Sequence, residues 1–418
     1  MAEFLIHGGK KLEGEIKIAG SKNTAFPLIA AALLTEESVT LKNMPAISDV
    51  LVMIEIIRAL GAEAEYDASE GFLYLSGKGI SSHHIPEELG KKFRASILFS
   101  GALVTRLGQA VLPYPGGDKI GARPLTTHLN ALRSLGVSVE ENEKIILGGK
   151  DVKSSNIILE EPSVTATENI ILAAVLLRGK TEIHLAAQEP HVQELVKFLN
   201  KMGAKICWRG VGILEIEGVK KLGGGEFEIN PDELEVSGFS ALAAATRSNI
   251  LIKGIDVQYL DAFFLQLSKM GVEYQVQGEN LFIKSSDKDY QAFRIQSGLY
   301  PKLASDHLPP FAVLATQARG GSLIHEWLYE GRLKYIEELR KMGAHTRLLD
   351  PHRAIIEGPT RLQGTNMISY DIRAGLTVVI AALVASGETR ISGIEHIERG
   401  YEKFEERLAK LGADIKRI

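Results

Sequence analysis

Apolar residues in this chain of 418 residues fall into two recurring textures. One is amphipathic: in DVLVMIEIIRAL, residues 49–60, apolar positions return every three or four residues and the run stops at a glycine, which predicts a surface helix with a C-terminal stop. The other is nearly all apolar and rich in alanine, as in FPLIAAALLTEESVTLKN, NIILAAVLLRGKTEIHLA, FAVLATQARGGSLIHE and LTVVIAALVASGETRISG. A helix without a polar face can only be buried, so these runs predict core helices leading into strands. Short alternating stretches such as KICWRG and EYQVQG predict half-buried strands.

The textures repeat. RALGAEAEY, RSLGVSVEE, NKMGAKICW, SKMGVEYQV, RKMGAHTRL and AKLGADIKR carry glycines at 61, 136, 203, 271, 343 and 412, spaced 75, 67, 68, 72 and 69 residues apart. Each copy reads as strand–helix–strand–helix–strand–strand. Solenoid repeats usually run about 20–45 residues, so units of this size point instead to globular domains. Six units divide into three plus three, which predicts an α/β protein of two similar three-unit domains with a ligand cleft between them.

Composition narrows the class. Hydrophobic residues make up 45% and charged residues 24%, as in an ordinary globular protein, and the formal net charge of −4 argues against nucleic-acid binding. Any anion site must be local. The single cysteine, Cys207, excludes an internal disulfide and reads as a packed, inert thiol on a strand. MAEFLIHGGKKLEGE lacks the layout of a signal peptide and the apolar runs are too short for a membrane span, so a cytoplasmic protein with no membrane partner is expected. Neither a metal nor an organic cofactor is indicated, and no oligomer is evident.

Several stretches could carry chemistry. In AGSKNTAFP, Lys22 and Asn23 precede a helix expected to begin near Pro27, a plausible anion site or a plain surface pair. Arg94 opens the apolar run KKFRASILFSGALV, either snorkelling or clamping an anion. PGGDKIGARP joins three glycines to Lys119, Arg123 and an acid, Asp118. Asp306 in YPKLASDHLPP suits an N-cap or a general base, with His307 a competing base. Arg332, Arg373 and Arg399 stand in YEGRLKY, YDIRAGL and IERGYEKF, where solvated arginines are the plain alternative.

Together SKN, RAS, PGG-x-x-IGARP, SVTATEN, DIR and ERGYE resemble the UDP-N-acetylglucosamine enolpyruvyltransferase family, in a form with aspartate in the loop. The resemblance runs from about residue 3 to the C-terminus. It implies an inside-out α/β barrel fold in which each domain has three βαβαββ units, with 21–229 as one domain carrying a mobile loop around 113–124, and 1–20 plus 230–418 as the other. It implies transfer of an enolpyruvyl group from phosphoenolpyruvate to the 3′-hydroxyl of a UDP-sugar, UDP-N-acetylglucosamine, with release of phosphate, the first committed step of peptidoglycan synthesis.

The same resemblance assigns residues. Lys22, Arg94, Arg123 and Arg399 match the cations around phosphoenolpyruvate. Asn23 and Asp306 match the residues at the sugar hydroxyl, with Asp306 as base. Arg332, Asp371 and Arg373 support the site; Ser163, Val164 and Thr165 match a loop touching the nucleotide, and Pro124, Leu125 and Leu328 join the substrate-binding set. Asp118 stands where the family usually has a cysteine linked to proton transfer at the methylene carbon, so fosfomycin should find no thiolate to alkylate. Thr126, Glu233 and Trp327 replace the family's usual aspartate, arginine and threonine on the acceptor side. The alternatives are a paralogue using another acceptor and a non-catalytic protein on the same fold.

Overall fold

The computed structural model describes residues 2–418. The chain divides into two compact units. The first unit comprises Gly20–Gly117 and Arg123–Asn230; the second comprises the chain up to Ala19, the short piece Asp118–Ala122, and Pro231–Ile418.

Six sheets share one strand order. In the first unit Lys180–His184 pairs in parallel with Asn156–Ile158 and antiparallel with Ile213–Glu217, beyond which lies Lys205–Gly210. Val39–Lys42 has the same neighbours in Gly225–Glu228, Phe72–Ser76 and Glu63–Asp67. Gln109–Pro113, Lys144–Gly148 and Ser138–Glu141 form the third sheet, where a single parallel bridge from His84 to Val111 takes the place of the fourth strand.

The second unit repeats the order around Asn249–Lys253, Ala318–His325 and Glu388–Ser392. Two of its sheets are completed by the N-terminus. Glu13–Lys17 is the parallel neighbour of Asn249–Lys253, and Phe4–His7 lies between Glu388–Ser392 and Asp414–Arg417 as the last return strand. The first residues therefore belong with the C-terminal half because the sixth repeat ends one strand short. Each sheet is an open path of three to five strands, so no sheet closes into a barrel among the described residues. The α/β class stands, with helices rather than a closed sheet at the centre.

Those central helices are the alanine-rich runs. Lys22–Ala32, Phe99–Leu107 and Val164–Ala174 fill the first unit; Glu233–Ala245, Leu308–Thr316 and Ile372–Val384 fill the second. Every residue of Glu233–Ala245 is buried, which small side chains permit. Gly101 shows how close the approach is: a Cβ there would lie 2.3 Å from the Asn169 carbonyl oxygen. The six repeat glycines all have positive φ, from 77° to 98°, and stop the amphipathic helices in the left-handed conformation that glycine adopts without strain.

Three local expectations change. The first helix starts at Lys22, not near Pro27, because Ser21 caps it by accepting from Thr24 N–H. Lys22 and Asn23 thus lie in the first helical turn, and Pro27, lacking an N–H, leaves the Asn23 carbonyl without its helical donor. Arg94 opens a short 3-10 turn, Arg94–Leu98, that precedes the α-helix Phe99–Leu107. Cys207 is exposed rather than packed: on the edge strand Lys205–Gly210 the pleat buries Ile206 and turns Cys207 outward. No described helix is long and apolar enough to cross a membrane.

Candidate functional site

In the first unit the helix Lys22–Ala32 carries a buried ion pair. Lys22 Nζ lies 3.1 Å from Asp49 Oδ2, with the two side chains only 9% and 6% exposed. Asp49 comes from the start of the amphipathic helix Ser48–Ala59. Asn23, next along, is partly buried. Arg94 donates from Nη2 to the Pro124 carbonyl oxygen at 3.2 Å, which ties the RAS turn to the ARP segment.

That segment is bent hard. Arg123 has φ of 44°, left-handed and directly before a proline, a conformation disfavoured twice over. Strain of this kind persists where surrounding structure imposes it, often at functional sites. Upstream, Gly116 is required by packing, because a Cβ there would come within 1.9 Å of the Lys91 carbonyl oxygen. Pro124 is exposed and Leu125 partly buried ahead of the helix Thr126–Ser134.

Ser163 caps the helix Val164–Ala174 by accepting from Ala166 N–H, and Val164 and Thr165 form its first turn. His128, from the neighbouring helix, meets Thr165 Oγ1 through Nε2 at 2.9 Å. Burial, with help from the charges of Arg94 and Arg123, pushes the His128 imidazole down to about 3, so it is neutral at physiological pH. Sequence reasoning missed His128: it stands in TTHLNAL with no motif around it.

In the second unit Asp306 is the centre. Arg332 Nη2 lies 2.7 Å from its Oδ1 and Arg373 Nε lies 3.1 Å from its Oδ2. Burial alone would raise the Asp306 carboxyl, but the two guanidinium groups outweigh it and hold the carboxyl well below the usual range. It is a carboxylate with both oxygens engaged. Arg373 also donates to the Tyr401 hydroxyl at 2.7 Å. Asp371 caps the helix Ile372–Val384, accepting from Arg373 N–H and Ala374 N–H at 2.9 Å each, and so fixes where Arg373 begins.

A second buried carboxylate organises the turn before Arg332. Glu326, fully buried, accepts from Ser305 Oγ at 2.6 Å and from the backbone N–H of Leu328 at 2.8 Å. Leu328 is thereby placed by its backbone, while Trp327 points outward at 49% exposure. His307 is buried and pushed down to about 4 by desolvation, and its Nδ1 has no partner. It is a neutral, enclosed ring. Glu233 opens the helix that Asp232 caps; burial, then the Asp232 charge, raises its carboxyl to about 8, and its Oε2 is buried without a hydrogen bond.

The piece Asp118–Ala122 packs within this unit. Arg399 Nη1 lies 2.5 Å from Asp118 Oδ1, both side chains being mostly buried. Gly331 N–H donates to the Ile120 carbonyl at 2.9 Å, and Ala122 N–H donates to Glu330 Oε1 at 2.8 Å. Asp118 is therefore held by a cation, and its segment by backbone hydrogen bonds at Ile120 and Ala122; it is no solvated turn residue.

Known proteins with this fold define the class first. The enolpyruvyl transferase NikO from Streptomyces tendae is 26% identical, with a TM-score of 0.92 over 100% of this chain and 99% of that one. An EPSP synthase from Acinetobacter baumannii, 19% identical with both chains fully covered and a TM-score of 0.78, shows the same fold. Residues 6–408 match the family of EPSP synthase (3-phosphoshikimate 1-carboxyvinyltransferase), and the chain belongs to that family. Within it, a UDP-N-acetylglucosamine 1-carboxyvinyltransferase of Treponema denticola is 44% identical, covering 99% of each chain. One of Bradyrhizobium diazoefficiens is 42% identical, covering 100% of this chain and 98% of its own.

Proposed function

We propose that this protein transfers the enolpyruvyl group of phosphoenolpyruvate to the 3′-hydroxyl of UDP-N-acetylglucosamine, releasing phosphate, as the first committed step of peptidoglycan synthesis in the cytoplasm. Full-length likeness to enzymes of that name, at 44% identity, carries the reading. The Asp306 cluster supports it.

In the chemistry, the acceptor oxygen bonds to C2 of the enolpyruvyl group, its proton goes to a base, and C3 gains a proton. Phosphate then leaves and C3 gives its proton back. Asp306, held by Arg332 and Arg373, stays ionised across the physiological range. It orients the hydroxyl and takes its proton only as the new C–O bond makes that hydroxyl acidic. His307, neutral but enclosed, is the weaker candidate. Lys22, Arg94, Arg123 and Arg399 are the cations for the phosphate and carboxylate of phosphoenolpyruvate, where ion-paired hydrogen bonds of fixed geometry stabilise developing charge. Asp118, on Arg399, serves proton transfer at C3. Asn23 meets the sugar hydroxyl; Pro124, Leu125, Ser163, Val164, Thr165 and Leu328 hold the acceptor, and Asp371 keeps Arg373 in place.

The test is phosphate release from phosphoenolpyruvate with a panel of acceptors. Turnover with UDP-N-acetylglucosamine supports the reading. Turnover only with another nucleotide or sugar favours a paralogue, a second reading prompted by the exposed hydroxyl of Thr126 and the buried acid Glu233 on the acceptor side.

A further inference from the structure

A chain of side chains in the first unit has a direction that can be read from one fixed donor. The backbone N–H of Gly101 lies 3.1 Å from Asn169 Oδ1, and Ser100 Oγ lies 3.0 Å from the same oxygen. A backbone N–H can only donate, so Oδ1 is the acceptor and the Asn169 amide nitrogen faces the other way. It faces His128 Nδ1 at 3.4 Å. An amide NH₂ also only donates, which leaves Nδ1 without a proton and puts the proton of the neutral ring on Nε2. Nε2 in turn lies 2.9 Å from Thr165 Oγ1, so the threonine oxygen is the acceptor there.

The Thr165 hydroxyl must then give its own proton to something else. The usual outlet is a helix carbonyl one turn back, as Thr167 Oγ1 uses Ser163 O at 2.8 Å. Thr165 has no such bond: no further protein acceptor meets its hydroxyl among the described residues. Gly101, Ser100, Asn169 and His128 are buried, and Thr165 is partly exposed at the helix start. The relay is rigid inside and open at one end. Arg94 and Arg123 lie close enough for their charges to act on the His128 ring, so the relay runs through a cationic field. An unprotonated, negatively charged oxygen is what a donor-only hydroxyl in such a field accepts as a partner.

We propose that His128 is a positioning residue that turns the Thr165 hydroxyl into a dedicated hydrogen-bond donor to a phosphate oxygen of the nucleotide acceptor. The inference rests on the proposed enolpyruvyl transfer to a UDP-sugar. It adds the direction of the hydrogen bond and the buried path that sets it.

The experiment compares steady-state kinetics of wild type, Thr165→Ser, Thr165→Val, His128→Gln and the double variant His128→Gln/Thr165→Val, with UDP-N-acetylglucosamine varied at saturating phosphoenolpyruvate. Thr165→Val should raise the acceptor KM about 10-fold with kcat within about twofold, the loss of one hydrogen bond to a charged group, and Thr165→Ser should restore it. His128→Gln should raise the acceptor KM in the Thr165 background and leave it unchanged in the Thr165→Val background. An unchanged KM in Thr165→Val, with an active wild type, overturns the inference alone; a wild type without turnover overturns it together with the proposed function. Should His128→Gln not fold, ¹⁵N spectra of the wild-type ring decide its part: a proton on Nε2 from about pH 5.5 to 8 is expected, and a proton on Nδ1 rejects the relay.

Discussion

At the start of the helix Ile372–Val384, Asp371 caps the backbone and Arg373 reaches a carboxylate already held by Arg332. At the start of the helix Val164–Ala174, Ser163 caps the backbone and Thr165 reaches a histidine already held by Asn169. The same architectural part, the first turn of a core helix, is prepared in Ile372–Val384 by opposite charges and in Val164–Ala174 by a neutral relay. Charges inside a protein are tolerated only in balance, whereas a neutral hydrogen bond can be lost at modest cost. The two regions should therefore fail differently.

The largest effect is expected where balance is broken. Arg373→Met removes one of two cations from Asp306 and the partner of Tyr401, and should cost about 3 kcal/mol in urea unfolding while abolishing turnover. A loss under about 1 kcal/mol would show that Arg332 alone suffices. Asp306→Asn keeps the shape and leaves its arginines in surplus. It should cut kcat by about 100-fold or more while UDP-N-acetylglucosamine still binds by calorimetry, and normal turnover would remove Asp306 from the proton path.

Glu233 adds a pH dependence to the charged side of the comparison. Its folded carboxyl, raised to about 8, is protonated where the unfolded one, near 4.5, is already ionised. The stability it contributes is full below the unfolded value and is lost as pH rises through the folded one. Wild type should thus weaken between about pH 5 and 8, and Glu233→Gln should recover about 3 to 4 kcal/mol at pH 8 relative to pH 5. Parallel stability curves for the two proteins would place the titration elsewhere.

The neutral side should give the smaller numbers. His128→Gln leaves no charge behind and should cost about 1 kcal/mol near pH 8. Because the folded ring is held down at about 3 while the unfolded one titrates near 6.5, wild type should lose stability as pH falls below about 6.5 and the variant should lose less. Smallest of all is fosfomycin: with an aspartate on Arg399 in place of a cysteine, incubation should leave the intact mass unchanged, and an adduct mapped to Asp118 would refute the point.

Much of the architecture was legible because it is periodic. Six glycines at near-equal spacing and four alanine-rich runs announced repeated α/β units, and all six glycines do take positive φ. The identity of the chemistry was legible in SKN, PGG-x-x-IGARP and DIR, and the enzyme class follows from the family. What periodicity hides is local competition. Pro27 looked like a helix start until Ser21 proved the better cap, and Cys207 looked packed until the edge strand turned it outward. Asn169 was visible inside SVTATEN but not its role, since an amide reveals its direction only beside a fixed donor.

The sequence by itself determined the six-unit α/β repeat, the burial of its apolar helices and the cation-rich motifs, because these depend on spacing along one chain. Tertiary structure alone decided that Phe4–His7 completes the last sheet, that Asp306 sits between two arginines, that Asp118 meets Arg399, and that His128 directs Thr165. Each of these joins residues distant in sequence. Their protonation and direction depend on burial and on the charges brought beside them, which no stretch of the chain carries alone.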